Sequence, residues 1–194
     1  MSRIEGQNSI CIDLALIHHP VCNRVGEIIG SAVTNLDLHD IARAGRTFGV
    51  DTYSVVTPYE DQVVLVQEIL DHWLTGYGAS RNPDRKEALS IVDIRRDFDE
   101  VLDAATEKWG VRPTVLATCA RLRPDTLQYE QARQRLEQGE PMLLLFGTAW
   151  GLAPEILSRV DGTLPPVLGH GTYNHLSVRS AVSIILDRLL GNRD

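Results

Sequence analysis

Residues 142–146 (MLLLF) are consecutive apolar positions between Pro141 and Gly147. Such a run, with no alternation of polar and apolar residues, is the pattern of a strand covered on both faces. A strand of that kind needs parallel partners and helices above and below it, and the rest of the chain supplies candidates. Residues 11–18 (CIDLALIH), 52–57 (TYSVVT), 90–94 and 113–118 have strand length and composition. Between them lie stretches with helical periodicity. Residues 34–48 open with Thr34 three residues before Asp37, a capping-box pattern, and space Leu38, Ile41, Ala42 and Gly45 along one face. Gly49 then stands where a helix ends. Residues 60–74 begin with Glu60 and Asp61, which suit a helix dipole, and carry Val63, Val64, Val66, Ile69, Leu70 and Trp73 on a broad face. Asn82 before Pro83 reads as a cap and first helical position. Residues 98–109, 126–138, 154–160 and 177–190 complete the helices, and 164–168 is a weaker strand candidate, interrupted by Pro165 and Pro166. Residues 76–82 (GYGASRN) read as a flexible loop. The expected fold is α/β, a mostly parallel sheet with helices on both faces.

At 194 residues the prior is a single domain spanning 1–194, large enough to bury a core without disulfide or metal staples. The three cysteines, Cys11, Cys22 and Cys119, form no CxxC pair, and no histidine spacing matches a zinc motif, so no metal is expected. The N-terminal segment lacks a signal-peptide core, and no apolar run has membrane-spanning length, so a cytoplasmic location is expected. The formal net charge is −7. Taken alone it argues against nucleic acid as partner, because phosphate binding needs a positive surface. The acid excess lies in the first 75 residues, however. Beyond them arginines cluster locally: Arg81/Arg85/Lys86, Arg95/Arg96, Arg121/Arg123 and Arg133/Arg135. In a dimer these groups, with Arg43 and Arg46, can form a local positive field within an acidic protein.

Ligands of open α/β sheets bind beyond the carboxyl ends of the strands. Such ends here carry 117–121 (ATCAR), 146–152 (FGTAWGL) and 168–177 (LGHGTYNHLS). Their glycines let backbone groups approach a ligand of purine size. Strand-terminating and helix-capping glycines alone would give the same pattern at any one loop. Phosphate-loop and dinucleotide fingerprints are absent. His18, His39 and His175 suit hydrogen bonding near a ligand or a structural role.

The segments 146–152 and 173–181 (YNHLSVRSA) resemble the C-terminal motifs of SPOUT RNA methyltransferases, and residues 34–50 (TNLDLHDIARAGRTFGV) resemble their N-terminal helix motif. The match is closest to a small bacterial family similar to the C-terminal region of some tRNA (guanine-N1)-methyltransferases, and it spans roughly residues 9–190. The resemblance implies a C-terminal deep trefoil knot, a homodimer with the first and last helices at its interface, and S-adenosylmethionine as cofactor. It implies a cofactor pocket made by Thr118, Cys119 and Ala120, by Phe146, Gly147, Thr148, Trp150, Gly151 and Leu152, and by Leu168, Gly169, Tyr173, Asn174, His175, Leu176 and Ser177. Core packing is the competing role for Trp150. Arg43, Asp37, Arg46 and His39 are the catalytic candidates near the implied site. Arg43 matches the arginine of the 2′-O-methylating members. The position of their asparagine is taken by Asp37, which suits base methylation with a carboxylate as proton acceptor. An exposed ion pair with Asp40 or Asp37 is the alternative role for Arg43. The expected function is methylation of RNA, tRNA above all. A cofactor-binding, non-catalytic partner of a tRNA methyltransferase and a small-molecule methyltransferase are the alternatives.

Overall fold

A computed structural model describes residues 10–192. Most of the signal-peptide reading falls on residues 1–9, outside the described residues. The strands are β1 (Ile12–Ile17), β2 (Val21–Cys22), β3 (Ile28–Ile29), β4 (Thr52–Val56), β5 (Val92–Arg95), β6 (Thr114–Ala117), β7 (Met142–Gly147) and β8 (Gly162–Thr163). The helices are α1 (Asn35–Phe48), α2 (Glu60–Leu74), α3 (Tyr77–Arg81), α4 (Pro83–Leu89), α5 (Phe98–Trp109), α6 (Tyr129–Glu137), α7 (Pro154–Leu157) and α8 (Val178–Leu190).

Six strands form one sheet in the order β5-β4-β1-β7-β6-β8, every pairing parallel. The run 142–146 is β7, buried throughout and paired on both edges, as its lack of alternation predicts. Alternate residues of the central strands enter two cores. Leu14, Leu16 and Leu144 join Leu38, Val66, Leu89, Leu136 and Val182 of α1, α2, α4, α6 and α8. Ala15, Ile17 and Leu145 face Phe98 and Val101 of α5 and Ile156 of α7. One polar residue sits inside β1. Asp13 is buried there, but accepts from Thr52 N–H, Trp109 Nε1 and Lys108 Nζ, so its charge is paired and hydrogen-bonded.

Local signals account for the ends of the elements. Thr34 Oγ1 caps α1 by accepting from Asp37 N–H at 3.2 Å, and Gly49 closes the helix with φ of 81°, a left-handed conformation that a side chain would strain. Asn82 caps α4, with Pro83 in its first turn, as the dipeptide predicts.

Several expectations are corrected. Residues 76–82 are not a flexible loop: they hold the short helix α3. Residues 164–168 form no strand. The sheet edge is instead β8, just upstream, because Pro165 and Pro166 have no N–H to donate to a ladder. Helix α6 starts at Tyr129 rather than Thr126, which bridges to Thr163. Val64 of α2 is exposed. The β2–β3 hairpin, with its two-residue strands, was below the reach of periodicity.

Candidate functional site

Strands β1, β7 and β6 are neighbours, and the carboxyl ends of β6 and β7 deliver residues 117–121 and 146–152 to one end of the sheet, while residues 168–177 follow β8 beside β6. Thr118 leaves β6 and donates through both N–H and Oγ1 to the Leu145 carbonyl. Asn174 Nδ2 donates to the Ala120 carbonyl at 2.7 Å, tying residues 168–177 to the loop after β6. The turn after β7 is held from the other side. Trp150 N–H donates to the Cys22 carbonyl, Cys22 N–H to that of Gly151, and Ala153 N–H to that of Pro20. The hairpin missed by periodicity is therefore the clamp on this turn.

A chain of polar side chains reinforces that clamp. Thr148 Oγ1 donates to the Ile17 carbonyl at 3.1 Å and lies 2.5 Å from Ser31 Oγ. Since Thr148 spends its proton on Ile17, Ser31 donates to Thr148. His18 Nδ1, 3.1 Å from Ser31 Oγ, then donates to Ser31. His18 is fully buried, its Nε2 has no hydrogen-bond partner among the described residues, and burial holds its pKa below the ordinary histidine value. It is a neutral, structural imidazole.

The predicted pocket residues fall into distinct settings. Phe146 and Leu152 are core residues that anchor the turn. Gly147 ends β7, and Gly151 accepts from the hairpin. Trp150 is 65% exposed, so core packing is not its role. Leu168, Tyr173 and Leu176 are exposed with it, and His175 packs edge-on against Tyr173. Gly169 lies in open space, and Ser177 caps α8. Cys119 is a half-buried free thiol. Exposed apolar side chains beside backbone groups outside any ladder are what an adenosyl and methionyl ligand requires, so the donor set fits S-adenosylmethionine.

The four catalytic candidates divide between two faces of α1. Asp37, with Asp40, Arg43, Ala44 and Thr47, faces α8, and the last four line an open groove of about 560 Å³ with Ser177, Arg179, Ser180 and Ser183. His39 and Arg46 turn toward α2 and α4: the imidazole packs edge-on against Trp73, and Arg46 pairs with Glu87 at 2.6 Å. Burial, then the nearby Arg85 guanidinium, lowers the His39 pKa. Asp37 is buried with both oxygens engaged, Oδ1 by Arg179 at 2.8 Å and Oδ2 by Thr34 Oγ1 at 2.6 Å. Arg179 also reaches Asp40 at 3.4 Å. It thereby takes both carboxylates that the sequence offers Arg43 as partners, and leaves Arg43 exposed with no ion pair among the described residues. Arg179 lies in the 173–181 motif, but no sequence signal assigned it this bridge between α8 and α1.

A family described as SAM-dependent RNA methyltransferases matches residues 11–191. The chain belongs to this family. A tRNA (guanine-N(1)-)-methyltransferase of Oleidesulfovibrio alaskensis is 46% identical over 96% of the chain, which spans 43% of that relative's length. An uncharacterized protein of Aquifex aeolicus is 38% identical over 91% of the chain and 86% of its own length. The SpoU methyltransferase AviRb of Streptomyces viridochromogenes, solved with AdoMet, has a TM-score of 0.58 at 17% identity, covering 94% of this chain and 57% of that one. The fold is thus that of the SPOUT methyltransferases, and the family's cofactor is S-adenosylmethionine.

Proposed function

We propose that this member of the family methylates tRNA, on a base or a ribose, as a cytoplasmic homodimer. The observation that carries the reading is the convergence of the loop after β6 with residues 168–177, whose last residue, Ser177, lines the same groove as Arg43, the one arginine of the four catalytic candidates without an ion pair among the described residues. S-adenosylmethionine bound among these loops supplies a methyl group on a sulfonium. The protein's share of the work is placement of the acceptor and exclusion of water. The loop residues named above hold the cofactor, with Trp150 as an apolar wall, and Arg43 contacts RNA. Asp37 supports the site through Arg179 rather than as a free base, since both its oxygens are engaged. The α1–α8 groove and the exposed Leu36, Leu168, Tyr173 and Leu176 support a second copy packed on this face. The implied knot belongs to the same proposal. It is supported by the course of residues 164–176, which bond to Ala117, Tyr129 and Ala120.

Calorimetry with S-adenosylhomocysteine, then transfer of labelled methyl from S-adenosylmethionine to bulk tRNA, tests the reading. Binding and transfer are expected; no binding at millimolar ligand overturns it. One observation favours a non-catalytic partner instead. Arg46, Arg95, Arg96 and Arg123 are spent on carboxylates, which takes four of the clustered arginines away from RNA. Cofactor binding without transfer, unless a second tRNA methyltransferase is added, would select that alternative.

A further inference from the structure

A second cavity, of about 300 Å³, opens beyond the carboxyl ends of β1 and β4 and is lined by Gly30, Ser31, Ala32, Tyr59, Asp61 and Gln62. None of these residues belongs to the loops assigned to the cofactor. We infer that this cavity is a nucleobase subsite selective for the Watson–Crick edge of guanine. The inference rests on the RNA methyltransferase reading and names the base it recognises.

Tyr59 provides the stacking surface. A Cβ at Gly30 would fall 2.3 Å from the phenol's Cε2 and Oη, so the ring lies directly on the Gly30 backbone, where only glycine leaves room. His19 packs edge-on at 5.8 Å between ring centroids. Held from two sides, the ring is still 44% exposed. A fixed, half-exposed aromatic ring is a platform for an unstacked base, and stacking on it is indifferent to base identity.

Selectivity comes from the first turn of α2. Asp61 has no hydrogen-bond or ion-pair partner among the described residues, while its neighbour Glu60 is paired with Arg96 at 3.0 Å. Gln62 Oε1 accepts from Val33 N–H at 2.6 Å, which orients the amide and leaves its NH2 group as a donor. The cavity therefore offers a two-oxygen acceptor and a separate donor. Guanine presents the complement: adjacent donors at N1 and N2 for Asp61 and an acceptor at O6 for Gln62. Adenine presents an acceptor at N1, and uracil a single donor. Ser31, in the cavity wall, is hydrogen-bonded to Thr148 of the turn after β7. The base subsite and the cofactor turn thus share one pair of hydroxyls.

The test is a ligand-observed NMR titration of the full chain with GMP, IMP and AMP, which differ only in the base. GMP is expected to bind about tenfold tighter than AMP, with IMP, lacking the 2-amino group, in between. Asp61→Asn should erase that preference. Tyr59→Ala, and equally Gly30→Ala by displacing the phenol, should weaken all of them. All the variants should keep the wild-type affinity for S-adenosylhomocysteine. Equal binding of GMP and AMP, a preference that survives Asp61→Asn, or no GMP binding at millimolar ligand overturns the inference. Failure of the methyltransferase reading shows separately, as loss of S-adenosylhomocysteine binding in the unaltered chain.

Discussion

Arg179 and Arg43 are both arginines on the α1–α8 face, and their surroundings separate their roles. Arg179 neutralises the buried Asp37, so Arg179→Ala should lower stability by about 2 kcal/mol in urea unfolding, discounted because the guanidinium is partly exposed. Arg43→Ala should leave the urea midpoint unchanged and abolish methyl transfer. An equal loss of stability in both variants would refute the distinction. His18 gives a pH prediction. Its folded-state pKa is lowered, so the unfolded chain binds the proton more readily, and stability falls as pH drops from 6.5 through the folded value. His39 shifts the same way. His18→Gln should flatten part of this slope in melting curves recorded from neutral to acid pH. These environments were not legible in the sequence. The partners of Asp37 and Ser31, Arg179 and Thr148, are brought together only by the sheet, and no local spacing encodes them.

At the level of elements, much was legible where a local rule decides. The caps of α1 and α4, the bounds of α2 and α5 and the doubly covered β7 all follow from side-chain chemistry within one or two turns. The misreadings arose where tertiary pairing decides. Gly162–Thr163 becomes a strand because β6 offers its edge, and residues 76–82 become helical although a Gly-rich composition favours a loop. The β2–β3 hairpin is too short to show a period, yet it clamps the turn that carries Trp150. Thr148→Val keeps the shape of that side chain while deleting its bonds to Ile17 and Ser31. It should cost about 1–2 kcal/mol of stability and weaken S-adenosylhomocysteine binding in calorimetry. Unchanged binding would show that the clamp does not shape the pocket.

For the whole molecule, the loop convergence was legible from the strand-end rule, whereas the cavity over Tyr59 was not. It joins a glycine, a hairpin exit and the start of α2 from separate parts of the chain. Several large apolar side chains stay exposed, among them Val25, Leu36, Leu122, Trp150, Leu168 and Tyr173. Light scattering should give twice the monomer mass. A monomer at micromolar concentration would remove the second copy from the proposed site.

The place of β1 also bears on how the chain is made. Its register pairs Asp13 with Thr52 on one edge and Ile12 with Met142 on the other. During synthesis the first edge is satisfied early, while the second waits until β7 has left the ribosome. Throughout that interval an apolar strand exposes unpaired backbone groups, the condition that invites aggregation. Contact order is correspondingly high, so refolding is expected to be slow for a domain of this size. A fragment ending before residue 140 should be insoluble for want of the one strand that closes that edge.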